Sequence, residues 1–193
     1  MDSLDNFILY SKIGLNHILD FDGYDHILFI IALCSIYSFK DLKKILYLVT
    51  AFTIGHSITL ALSVLDIFSL DADLVEFLIL VTICATACHN ILVPTSKRNN
   101  SFAYIATVLF GFIHGMGFSN YLKAILGGVK DELLLPLFGF NVGLEIGQII
   151  VVILLLIFNI VFVYIMNVKK KDYILVTSSI TLGMTIPMLL SLC

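Results

Sequence analysis

Long apolar runs, parted by short charged or Gly/Pro-bearing breaks, limit this chain more than any other feature. A helix needs about 20 apolar residues to cross the hydrocarbon core of a bilayer. The runs fall at 24–38, 44–65, 74–93, 102–126, 133–165 and 173–191. The first is short, and the fifth is long enough to tilt or to extend beyond the bilayer. The stretch 4–19 is apolar but broken by Lys12 and Gly14, which suits an interfacial helix or a re-entrant segment and leaves a seventh element open. Only 13% of the residues are charged and 60% are hydrophobic, whereas a soluble domain is about a quarter charged. One soluble core could not hide that much apolar surface. The predicted fold is all-α: a polytopic transmembrane helix bundle of six spans with short loops, forming a single integral membrane domain over 1–193.

Charge sorts onto two sides. Loops 39–43, 94–101 and 166–172 hold Lys40, Lys43, Lys44, Lys97, Arg98, Lys169, Lys170 and Lys171 at or beside them. The opposite side has Lys12, Lys130 and the nearby Lys123. By the positive-inside rule the basic loops face the cytoplasm, as in a bacterial-type inner (plasma) membrane. The start, MDSLDNFILYSKIG, has acids where a signal peptide is basic, so targeting is expected through the first span. Most acids gather on the other side, including Asp2, Asp5, Asp20, Asp22, Asp66, Asp71, Asp73, Asp131 and Glu132. An acidic mouth concentrates cations. No basic stripe supports nucleic-acid binding. Cys34, Cys84, Cys88 and Cys193 form no CxxC, and read as small hydrophobes.

All five histidines, His17, His26, His56, His89 and His114, lie in or beside spans. Ionisable groups there are costly and usually face the bundle interior. With Asp25, Glu76 and Glu145 they make a candidate metal-ligand set. Counting along straight helices puts His56, His114 and Glu145 near one mid-membrane level. The same count puts His17, Asp25, His26 and Glu76 nearer the acidic mouth and His89 nearer the cytoplasm. The expectation is a ladder rather than one cluster. Asn141, Glu145 and Gln148 share a helix face. Gly111 and Gly115, with Gly139, Gly143 and Gly147, predict close packing between the fourth and fifth spans. Imidazole and carboxylate donors suit a divalent transition metal ion such as Ni, Co or Zn.

The strings GLNHILDFDGYDHILFIIAL, TAFTIGHSITLAL, VEFLI, FGFIHGMGF and FNVGLEIGQ resemble the HupE/UreJ family of small membrane proteins, most of all its less characterised branch. The resemblance runs from about residue 14 to 150. It implies a role in nickel or cobalt permeation. It matches His17 and Asp25–His26 to the family's first-span signature, with DFDGY lengthening the spacing. It also matches His56, His114 and Glu145 to the GHS, HG and FN-G-E-GQ segments.

Three functions follow as expectations. The first is a permease for a nickel-, cobalt- or zinc-like cation, with Glu145 exchanging metal for proton. The second is an intramembrane zinc-dependent hydrolase acting on a lipid or membrane-embedded substrate, with Ser57 or Ser119 near the substrate. The third is a metal-binding accessory protein. The expected partners are the lipid bilayer and the ion, with a homo-oligomer or a partner membrane protein left open.

Overall fold

The computed structural model describes residues 3–20, 24–94, 100–126 and 133–192. Asp2, Asp22, Lys97, Arg98, Lys130, Asp131, Glu132 and Cys193 lie outside the described residues. The described residues form helices α1 (Ser3–Leu19), α2 (Asp25–Cys34), α3 (Leu42–Val64), α4 (Ala72–Leu92), α5 (Asn100–Gly117), α6 (Ser119–Leu126), α7 (Leu134–Asn159) and α8 (Lys170–Ser191). They include no strand. A 3₁₀ turn, Phe39–Asp41, leads into α3, and a wider π-type turn, Ile160–Ile165, prolongs α7.

Among the described residues, four helices are long and apolar enough to cross a membrane: Phe39–Val64, Ala72–Leu92, Leu134–Ile165 and Lys170–Ser191. The segments Ala103–Gly117 and Ser119–Ile125, bent by 44°, make a fifth if taken as one span. Large apolar side chains point outward along these helices, among them Ile54, Ile58, Leu109, Ile153, Phe158 and Ile180. Such a surface needs lipid to cover it. Hydroxyls in the spans bond back to their own helices, as Thr59 does to the Gly55 carbonyl at 3.2 Å and Thr181 to that of Thr177 at 3.1 Å. This satisfies them where water is absent.

The expected first span, 24–38, is instead the ten-residue helix α2, about 15 Å long at 1.5 Å per residue. Its end is stitched into the bundle. The Ser35 hydroxyl donates to the Ala32 carbonyl at 3.0 Å, and Asn90 Nδ2 donates to the same carbonyl at 2.6 Å and to Ser35 Oγ at 3.1 Å. Those donors satisfy a helix end that would otherwise leave bare carbonyls.

The stretch 4–19 is a regular helix that packs along α7. A Cβ at Gly14 would meet the Phe140 carbonyl oxygen, and one at Gly143 the Ser11 carbonyl oxygen. Gly139 lies against Phe7, and Gly147 against Leu15 and Ile18. The pairings rise together, so α1 and α7 run parallel.

The glycines of the fourth span do not meet those of the fifth, contrary to expectation. Gly111 abuts the Phe52 carbonyl of α3, Gly115 abuts that of His56, and Gly55 reciprocates against Val108. Small residues allow two backbones to approach, but each glycine row here meets a different helix, α3 for one and α1 for the other.

Candidate metal centre

His56 sits near the middle of α3, and the glycine contact brings α5 close enough to set His114 beside it. The start of α2 supplies Asp25 and His26, and the last turn of α1 supplies His17. Ring centroids lie 4.6 Å apart for His17–His26, 4.7 Å for His26–His114, and 6.3 Å for both His17–His56 and His26–His56. Two donor groups result, His17–His26–His56 and Asp25–His26–His114, each with one ligand atom per residue and all of these within 4.8 Å of one another. Donors on a tetrahedral ion with bonds of about 2.0–2.1 Å stand roughly 3.3 Å apart. The side chains therefore need only modest rotation to close on an ion.

The second ring nitrogens are arranged for that task. His26 Nδ1 lies 3.1 Å from Asp25 Oδ1, which also accepts the His26 backbone N–H at 2.8 Å. His114 Nδ1 lies 3.0 Å from the Phe110 carbonyl oxygen. Both partners are acceptors, so each Nδ1 carries the proton and each Nε2 presents a lone pair. A ligating histidine is usually held this way. The Nε2 atoms of His17, His26, His56 and His114, and Nδ1 of His56, are buried without a hydrogen-bond partner. Leaving such a group unsatisfied costs about 1–3 kcal/mol. So many in one place fit a site built for a cation.

The walls are aromatic. His17 lies against Phe118 at 4.0 Å and Phe140 at 5.8 Å between centroids. His56 is flanked by Phe140 at 6.0 Å and Phe52 at 5.9 Å. An apolar shell limits water and strengthens each ion–donor interaction. These phenylalanines were not singled out from the sequence. Their signal is spacing, because Phe52–His56, Phe110–His114 and His114–Phe118 each lie four residues apart.

The remaining candidate ligands lie elsewhere. Glu145 is half-buried and accepts a hydrogen bond from Thr50 Oγ1 at 2.7 Å, between α7 and α3. One turn on, Gln148 Oε1 accepts from Thr53 Oγ1 at 3.0 Å. Glu76 is exposed near the start of α4. His89 lines a separate cavity toward the other end of that helix. Among the described residues neither metal-ligand group contains any of the three. The expected ladder is thus replaced by a cluster. The reason is that α1 ends and α2 begins at the level of His56, and not at the acidic mouth.

The family model described as HupE / UreJ protein matches residues 2–191. The chain belongs to the HupE/UreJ family. That family is associated with nickel or cobalt uptake or with metal insertion. No curated protein and no solved structure gives a match. In this HupE/UreJ protein the nitrogen-rich donor set, with a carboxylate in the second group alone and no thiolate in either, suits a borderline divalent ion.

Proposed function

We propose that the protein is a permease for a divalent transition metal ion, and that the cluster around His26 is where the ion is held within the membrane. The observation that carries this reading is the set of buried, unpartnered imidazole nitrogens converging on His26. His26 belongs to both donor groups. An ion held by His17, His26 and His56 could pass to Asp25, His26 and His114 without ever losing His26. Overlapping sites of this kind let a cation bind and still leave.

In this reading α1 and α2 act as one discontinuous span, the sixth, joined at the histidines. Together they reach about 40 Å at 1.5 Å per residue, enough to cross. The carbonyl end of α1 carries partial negative charge, which favours a cation there. Broken helices at mid-membrane ion sites are a known transporter device. The basic loops would face the cytoplasm in an inner membrane, with the acidic side as entrance.

The zinc-hydrolase alternative has less support. Ser57 Oγ donates to the Thr53 carbonyl at 2.6 Å and Ser119 Oγ to that of Met116 at 2.9 Å, so both hydroxyls are engaged by their own chain. Asp25 is already bonded to His26, whose ring it orients.

The test is uptake of Ni²⁺, Co²⁺, Zn²⁺ and Mn²⁺ into proteoliposomes, with His26→Ala as control. Uptake of at least one ion that His26→Ala abolishes is expected. Tight stoichiometric zinc with no movement of any ion would overturn the permease reading.

A further inference from the structure

A cavity of about 490 Å³ opens at the end of the bundle where α2 stops and α3 begins. Asp41, Lys44 and Lys170 line it, together with Thr86 and His89 of α4. Phe29 and Phe110 also line it. These two rings are 4.5 Å apart between centroids and almost wholly buried. Their far faces belong to the histidine cluster. Phe29 lies 5.8 Å from His114, and the Phe110 carbonyl holds His114 Nδ1. A single layer of aromatic rings therefore separates the cavity from the centre.

We infer that this cavity is the cytoplasmic-side vestibule of the histidine centre, and that Phe29 and Phe110 form the gate between them. The inference rests on the centre being a place that an ion passes through. Ile105 and Leu109 also line the cavity and are exposed, so that flank lies against lipid, while its threonine, asparagine and imidazole groups offer hydrogen bonds to water around a released cation. His89 is the imidazole on that route. Lys44 and Lys170 disfavour cation entry from this side, while the far side has an excess of acids, and this asymmetry biases passage toward release. Opening needs no domain motion, because a rotamer change of Phe29 or Phe110 would join the two spaces.

Thiol labelling tests this without any metal. In a chain with Cys34, Cys84, Cys88 and Cys193 replaced by Ser, a membrane-impermeant cationic methanethiosulfonate is applied to each side of oriented vesicles. Thr86→Cys and Ala106→Cys should react from the side of the basic loops only. His114→Cys should react slowly from that side, and at least tenfold faster once Phe29→Ala or, as a second variant, Phe110→Leu is added. Equal rates with the gate residues intact and replaced would overturn the gate. Failure of Thr86→Cys and Ala106→Cys to react from the basic side would overturn the vestibule. If those labels react as expected while the purified wild-type protein binds none of Ni²⁺, Co²⁺, Zn²⁺ or Mn²⁺, the permease reading fails and the water-filled route stands.

Discussion

Replacing His56 by leucine should stabilise the metal-free protein while destroying its metal response. His56 has no exposed surface, neither ring nitrogen has a hydrogen-bond partner, and Phe52 and Phe140 flank it. Each unsatisfied buried polar group costs about 1–3 kcal/mol. Leucine removes both groups, at a packing cost of about 1–3 kcal/mol for the change of shape. The net expectation is a gain of about 1–3 kcal/mol without metal. For a chain of this size each kcal/mol moves the melting temperature by roughly 2–4 °C, so a rise of several degrees should be visible. Wild type should instead rise on adding metal, by about 2.7 kcal/mol at a hundredfold excess over Kd. The assay is thermal unfolding in detergent, followed with a thiol-reactive dye that reports exposure of the buried Cys34, with chelator and with Ni²⁺ or Zn²⁺. A melting temperature several degrees lower for His56→Leu in chelator would refute the reasoning, because it would mean that the imidazole is satisfied in the metal-free state.

Two further substitutions probe the assembly of the centre. Gly143→Val puts a side chain against the Ser11 carbonyl and should push α1 from α7. Metal affinity should fall at least tenfold by calorimetry, because His17 is displaced, while circular dichroism keeps its helical signal. Asp25→Asn preserves the shape but removes the charge that holds His26 Nδ1, and should weaken metal binding by about 10–100-fold. Unchanged affinity in equilibrium dialysis would show that Asp25 neither ligates the ion nor orients His26.

Much of this protein is decided by its sequence alone. A run such as 133–165 has only lipid or a protein interior as its solvent, and in either it must pair its own backbone groups, so helix follows from local composition. The cost of an imidazole in such a run likewise marks His17, His26, His56 and His114 as purposeful before any fold is known. Which of them meet is a different matter. Counting residues along straight spans put His56 with Glu145 and His26 at the mouth. That count assumed an unbroken helix over 24–38, whereas the chain reaches His56 from both ends of a break between Leu19 and Asp25. Glycine spacing announces a close contact but carries no name for the partner, so the glycine rows of the fourth and fifth spans suggest a mutual contact, whereas Gly111 faces α3 and Gly143 faces α1. Bundle packing depends on the shapes of all the helices together. Only that packing could gather four imidazoles and a carboxylate into one centre and leave Glu145 bonded to Thr50 outside it.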